Sequence, residues 1–275
     1  MTGLSDGGVD LTLADLVIGT SAGSVVGAHL ALGTDLAAYA KEQTEAAERG
    51  ELAVPSIADL PPGQIEGFIN AVTEAFTATA AEPGRAVIGR FAVEAETIIT
   101  TERQMSLFAE LAGRTWPAGF RCAAVETETG KFVVWDADSG VDLQVAVAAS
   151  SAVPGFFPPV SVLGKTYMDG GMRSSINADL AKGHDTALVM VVVDHELPPG
   201  LSDPRVELMA SRQNAELDEL AADGTAVDVI APDDKLRELT MWGMDLMDTG
   251  RAAAAFDAGR RRGEAEAPRL LERWS

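Results

Sequence analysis

Residues 15–28 have the sequence DLVIGTSAGSVVGA, which indicates a strand, a sharp turn and a helix in immediate succession. The apolar run at 16–18 is typical of a buried parallel strand. The next five residues, GTSAG at 19–23, fit the G-x-S-x-G pattern of a nucleophile elbow, in which a serine stands at the tip of a strand-to-helix turn. The helix is expected to end at Gly33. The stretch therefore predicts a serine hydroxyl raised above a sheet.

In such an elbow Ser21 is the candidate nucleophile, and the N–H of Ala22 faces the reacting carbonyl as an oxyanion donor. We expect glycine at Gly19 and Gly23 because a Cβ would clash where strand and helix pass closely. Two other interpretations stay open: a glycine-rich turn packed for structural reasons, and a phosphate-binding loop. The phosphate loop is disfavoured because the stretch has neither a Gly-Lys-Ser/Thr ending nor G-x-G-x-x-G.

Composition limits the classes of function. The chain has 275 residues, is 47% hydrophobic and carries a formal net charge of −21. This charge argues against nucleic acid and against attraction to anionic membranes, so we expect at most peripheral membrane contact. No apolar run is long enough to span a bilayer, and residues 1–8 lack the features of a signal peptide, which favours a cytoplasmic location.

The single cysteine, Cys122, excludes an internal disulfide and a cysteine-based zinc site. It lies in a predicted strand, where a small buried residue is the simplest interpretation. The three histidines leave little room for a histidine-rich metal site. We therefore expect no metal and no cofactor.

A second chemical feature is Asp169-Gly170-Gly171, which follows the predicted strand 165–168. A carboxylate at a strand end, followed by glycines that let the backbone turn sharply, is where α/β sheets place catalytic groups. A plain Asp-Gly turn is the alternative. Upstream, the stiff apolar stretch VPGFFPP, with Pro154, Phe156 and Phe157, predicts either a wall for an acyl chain or a loop that covers the core.

Strands alternate with helices along the chain, which predicts one α/β domain over 1–275 with a mostly parallel sheet. A connector is expected at 53–63. It lies within a helical insertion at about 34–113, whose helices are interrupted by Pro83-Gly84. Residues 187–193 form the most continuous apolar run and are expected to be a central strand.

Three segments in this order resemble the patatin-like phospholipase family. They are GTSAG at 19–23, ASSAVPGFFPPV at 149–160, and YMDGG at 167–171 followed by Asn177. The resemblance extends from about Val9 to the C-terminus. It implies a three-layer α/β/α fold and a lipid acyl hydrolase of the phospholipase A or esterase type. Its substrate would be a lipid or another ester.

The resemblance also implies a serine–aspartate dyad without a catalytic histidine. On the matching positions Ser21 would be the nucleophile and Asp169 the base, with Gly170 and Gly171 supporting the dyad loop. Family members begin with a central strand and a glycine-rich loop that supplies part of the oxyanion hole. The sequence before residue 15 has no such segment. We therefore expect this first strand and loop to be missing and the activity to be impaired, unless the true start lies upstream of Met1.

Two alternatives stay open. One is an esterase that uses a triad in the chain order Ser21, Asp169, His195, because His195 follows the strong apolar run. The other is a non-catalytic or weakly active protein that keeps the fold and binds a lipid or a partner, because a fold does not guarantee an activity.

Overall fold

The computed structural model describes residues 1–52 and 54–274, so Ala53, at the start of the predicted connector, lies outside the described residues. The strands are β1 (Val17–Gly19), β2 (Phe120–Glu126), β3 (Phe132–Trp135), β4 (Val160–Val162), β5 (Lys165–Asp169), β6 (Thr186–Met190) and β7 (Ala226–Ile230). The helices are α1 (Thr2–Asp6), α2 (Ala22–Ala31), α3 (Leu36–Glu48), α4 (Gln64–Thr77), α5 (Ala81–Glu94), α6 (Thr101–Ser106), α7 (Leu143–Ser150), α8 (Pro204–Ala222), α9 (Asp234–Leu239) and α10 (Ala252–Leu270).

The chain divides into two compact units. The first unit comprises Met1–Asp15, Gly33–Val54 and Ile176–Ser275, and the second comprises Leu16–Leu32 and Pro55–Ser175. The expected helical insertion is shared between them, because its first part belongs to the first unit and the rest to the second. The assignment of the chain as a single domain stays a prediction. Both members of the expected dyad fall in the second unit.

The sheet of the second unit combines both strand directions. β1 is parallel to β2, whereas β3 and β5 run antiparallel to β2, and β4 runs antiparallel to β5. In the first unit β6 and β7 are parallel. The α/β class and the parallel strand before the turn are confirmed. Two of the three antiparallel ladders, β2–β3 and β4–β5, are hairpins, each closed by a short turn with a glycine in the left-handed region.

The pairing register places β1 and β5 on the same edge of β2. Cys122 pairs with Gly19 of β1 and with Trp135 of β3. Ala124 pairs with Asp169 of β5 and with a second residue of β3. Since a strand residue has one neighbour on each edge, β3 fills one edge and the other two strands share the opposite edge. Their carboxyl ends therefore face each other, two residues or about 7 Å apart along β2.

Helices cover β2 on both of its faces. The four consecutive residues 122–125 are fully buried, and successive side chains of a strand point to opposite faces. Helices α2, α5 and α7 all pack against β2. Together with the sheet they form the three-layer α/β/α arrangement that the sequence predicts.

The close approach of β1 and α2 explains one of the two elbow glycines. A Cβ on Gly19 would lie 2.4 Å from the Cα of Ser24, so only glycine fits without displacing the helix. A Cβ on Gly23 would meet no described atom within 4 Å, so the expected clash at Gly23 is wrong. Gly23 lies in the first turn of the helix and points away from the strand. The predicted helix end is confirmed, because Gly33 has a φ of 70° just beyond α2.

The break predicted at Pro83-Gly84 is wrong. Helix α4 ends at Thr77 and α5 begins at Ala81, so Pro83 and Gly84 lie inside the start of α5. Proline is tolerated there because the first N–H groups of a helix have no acceptor within it. The sequence pattern located a helix boundary but placed it several residues too late.

The expected central strand at 187–193 is also wrong. In the described residues, β6 belongs to a two-stranded sheet of the first unit. Its Ala187 packs in a buried cluster with Ala178 and Leu220, the latter from α8. The apolar run is therefore covered by α8 and by one neighbouring strand, β7. A central strand would instead have a strand on each side.

We expect the substitution Gly19→Ala to destabilise the protein by about 1–3 kcal/mol, because the added methyl group must push α2 away from β1. Gly23→Ala is the matched control, since its methyl group meets open space and alanine favours a helix. Urea denaturation of both variants measures the difference. Equal stability of the two variants would contradict the close-packing explanation.

Candidate active site

Ser21 occupies a strained backbone position at the turn between β1 and α2. Its φ is 54° and its ψ is −130°, a conformation that costs a residue with a Cβ on the order of 1–3 kcal/mol. Although Ser21 is the N-cap residue of α2, its side chain makes no capping hydrogen bond to the described residues of the helix. The hydroxyl is therefore not used to stabilise the helix. Ser21 as a residue is half-buried.

Asp169 is the last residue of β5 and is only 2% exposed. Its Oδ1 accepts a hydrogen bond from the N–H of Gly171 at 2.7 Å. A Cβ on Gly170 would lie 2.4 Å from the carbonyl oxygen of Ala123, and one on Gly171 would lie 2.9 Å from Oδ1 itself. Glycine is thus favoured at position 170 because the backbone passes close to β2, and at position 171 because a Cβ would crowd the Asp169 carboxylate. The sequence predicts glycines here for a sharp turn, but neither has a positive φ.

The structure brings Ser21 and Asp169 together. Burial raises the pKa of Asp169 to about 6, while the Ser21 hydroxyl and the Gly171 N–H act in the opposite direction. Oδ2 is buried and has no hydrogen-bond partner in the described part of the chain. The hydroxyl is therefore close enough to stabilise the carboxylate, but the two are not in a fully formed hydrogen bond. Such contacts commonly tighten only when substrate binds.

A fully buried layer of small polar side chains lies beneath Ser21. The Ser21 N–H donates to Oγ of Ser150 at 3.0 Å, and Oγ of Ser24 donates to the Ser21 carbonyl at 2.6 Å. The Cys122 thiol donates to the carbonyl of Ala146 at 3.4 Å. Burial raises the pKa of Cys122 to about 12, against the effect of the Ser150 and Ser24 hydroxyls, so it stays a thiol at neutral pH.

Sequence reasoning assigned no role to Ser24 or Ser150. Ser24 directly follows the G-x-S-x-G pattern, and Ser150 lies in the ASSAVPG segment. Neither position has a local signal for a contact with Ser21, because the contact between Ser21 and Ser150 spans 129 residues. Cys122 is buried in a strand, as expected.

The apolar residues predicted to form an acyl wall lie in the interior. Phe156 is 7% and Phe157 is 5% exposed, and Pro154 is also buried. The residue directly before this segment contacts β5, because the N–H of Asp169 donates to the carbonyl of Ala152 at 3.0 Å. This burial agrees with a loop that covers the core. A wall for an acyl chain at these residues stays a prediction.

His195 lies in the first unit, where it lines a cavity of about 660 Å³ together with residues of α8. Its φ is 56°. Burial lowers its pKa, while the neighbouring Asp194 acts in the opposite direction. A triad that includes His195 stays a prediction.

A serine on a strand-to-helix elbow beside a buried carboxylate defines a candidate serine hydrolase site. The chain matches the model of the patatin-like phospholipase family over residues 7–182, and it belongs to that family. The match includes Ser21 and Asp169 but ends before the C-terminus, to which we expected the resemblance to extend. No curated protein matches the chain. None of the helices within residues 1–52 and 54–274 has the length and apolarity needed to cross a bilayer.

The raised pKa of Asp169 predicts a pH-dependent cost to stability. The folded protein binds the proton more tightly than the unfolded chain, so the cost is absent in acid and develops as the pH rises from about 4 to about 6. It reaches about 3 kcal/mol at neutral pH. Asparagine does not ionise, so the Asp169→Asn variant should not show this cost. We expect the free energy of unfolding of the variant, relative to the native protein, to be about 3 kcal/mol higher at pH 7 than at pH 4. Urea denaturation at both pH values measures it. A constant difference would contradict the raised pKa.

Proposed function

We propose that the protein is a serine lipid acyl hydrolase of the phospholipase A or esterase type, with Ser21 as nucleophile and Asp169 as general base. The observation that supports this proposal best is the meeting of β1 and β5 end to end on one edge of β2. That register carries the Ser21 hydroxyl to the buried carboxylate. Membership of the patatin-like phospholipase family supports hydrolysis of lipid esters as the overall reaction.

In the first half of the proposed reaction, Oγ of Ser21 attacks the carbonyl carbon of the ester while Asp169 takes the hydroxyl proton. The tetrahedral intermediate collapses, its bond to the alkoxy oxygen breaks, and Asp169 returns the proton to the leaving alcohol. In the second half, water attacks the acyl-enzyme and gives a proton to Asp169. The serine oxygen then leaves and regains that proton as the fatty acid is released.

The environment of Asp169 suits it to this role. Burial raises its pKa to about 6, which makes the carboxylate a stronger base than an exposed aspartate. At pH 7 most of the carboxylate is still ionised, so it can accept the proton directly and needs no intervening histidine. The close approach of the Ser21 hydroxyl gives the proton a short path.

Ala22 is the proposed donor to the oxyanion. It is the first residue of α2, where an N–H has no acceptor within the helix and the helix dipole favours negative charge. Loss of one such donor costs on the order of 10²–10³ in rate in a comparable hydrolase. The substrate would be uncharged or zwitterionic, since the chain's net charge of −21 disfavours anionic surfaces. Displacement of the loop with Phe156 and Phe157 would be needed to admit an acyl chain.

We expect Ser21→Ala and Asp169→Asn each to abolish hydrolysis of p-nitrophenyl esters and of phosphatidylcholine vesicles, because one removes the nucleophile and the other the base. His195→Ala is the control and should keep full activity. Loss of activity in this control would favour the triad. Failure of a fluorophosphonate probe to label Ser21 in the native protein would favour a non-catalytic, lipid-binding or partner-binding role.

The activity should also follow the ionisation of Asp169. Only the carboxylate accepts a proton, so we expect kcat/KM to fall as the pH decreases through about 6. The measurement is the initial rate at low substrate concentration between pH 4.5 and 8. A rate that is constant across pH 5 to 7 would contradict Asp169 as the base.

A further inference from the structure

The short segment from Ser150 to Ala152 contacts the backbone of both members of the dyad. Oγ of Ser150 accepts the N–H of Ser21 at 3.0 Å, and the carbonyl of Ala152 accepts the N–H of Asp169 at 3.0 Å. Two residues of one segment therefore hold the amides of the nucleophile and the base. We name these two residues, Ser150 and Ala152, the bracket.

The bracket has a rigid foundation. Ser150 is the last residue of α7, and this helix is buried over Ala146–Ser150 and packs against β2, β4 and β5. Ser150 is itself fully buried. The bracket thus connects Ser21, which follows β1, to the end of β5 independently of the pairing of both strands with β2.

Ser21 needs such a constraint. Its strained backbone conformation persists only if the surrounding residues exclude other backbone conformations. Its N–H donates to the side chain of Ser150 and not to a carbonyl of β1 or α2. The hydroxyl of Ser150 supplies that acceptor. A hydroxyl suits this place because it can accept the amide proton and still turn its own hydrogen towards the Cys122 sulfur that it faces.

We propose that Ser150 is a positioning residue for Ser21, and that the bracket sets the spacing between the nucleophile and its base. This inference rests on the function proposed above. In this role Ser150 contacts the backbone amide of Ser21 and takes no part in the bond changes of the reaction. It acts by fixing the Ser21 backbone so that the hydroxyl stays against Asp169.

The experiment compares Ser150→Ala with Ser151→Ala. The control makes the same change one residue later, where the buried Oγ of Ser151 has no hydrogen-bond partner in the described residues. Ser150→Cys keeps the size of the side chain but offers only a weak acceptor, and it serves as the second variant if Ser150→Ala does not fold. The readouts are the exchange rate of the Ser21 amide by ¹⁵N NMR, the kinetics of ester hydrolysis and the pH–rate profile.

In Ser150→Ala we expect Ser21 amide exchange to rise roughly fivefold or more, and kcat to fall by about ten- to a hundredfold with little change in KM. The acid limb of the pH–rate profile should shift to higher pH, because a displaced Ser21 hydroxyl no longer lowers the pKa of Asp169. Ser150→Cys should lie between the native protein and Ser150→Ala. Ser151→Ala should match the native protein in all three readouts.

Two results would overturn the positioning role. One is native amide exchange at Ser21 in Ser150→Ala or, if that variant does not fold, in Ser150→Cys. The other is equal effects of Ser150→Ala and Ser151→Ala. A native protein that hydrolyses no ester would instead refute the proposed function, and the amide exchange would still decide whether Ser150 holds the Ser21 backbone.

Discussion

The site depends on one constraint, the backbone pairing of β2 with two short strands along a single edge. Cys122 fixes the end of β1, and Ala124 fixes the end of β5. Because β1 and β5 approach from opposite directions, the residues that follow them converge. A strand pairing slips only by whole residues, and each single slip would turn the side chains of that strand to the opposite face. The separation of Ser21 and Asp169 is therefore set largely by backbone hydrogen bonds to the buried residues 122–124 of β2.

Two features that cost folding free energy lie where the carboxyl ends of β1 and β5 meet. Ser21 has a strained backbone, and Asp169 is a carboxyl group removed from water. Each costs stability, and both persist because the layer around β2 leaves no room to relax. The neighbouring glycines allow the same close packing. Gly19 lets α2 lie against β1, and Gly170 lets the backbone lie against the carbonyl of Ala123. A base with a raised pKa beside a pre-formed turn is the result, which links the cost to stability with the chemistry proposed for the site.

Local patterns in the sequence predicted the local structure well. The G-x-S-x-G spacing located β1, the turn and α2, and Gly33 lies just beyond the end of α2, where the sequence predicts the helix end. The pattern could not show that the apolar run at 187–193 is covered by a helix, since burial by a helix and by strands leaves the same signature. It misplaced the break at Pro83, because proline in a first helical turn resembles proline that ends a helix. The contact between Ser21 and Ser150 could not be predicted, because it depends on packing between distant segments.

The end-to-end meeting of β1 and β5 has a consequence for the evolution of such sites. The chain between Ser21 and Asp169 includes helices α2 to α7, yet among the described residues β2, Ser150 and Ala152 carry the contacts that we assign to fixing the two reacting groups relative to each other. A segment such as α4, which packs mainly against α5, can therefore lengthen or shorten while the reaction geometry is retained. Substrate preference can diversify in those variable segments without rebuilding the chemical centre.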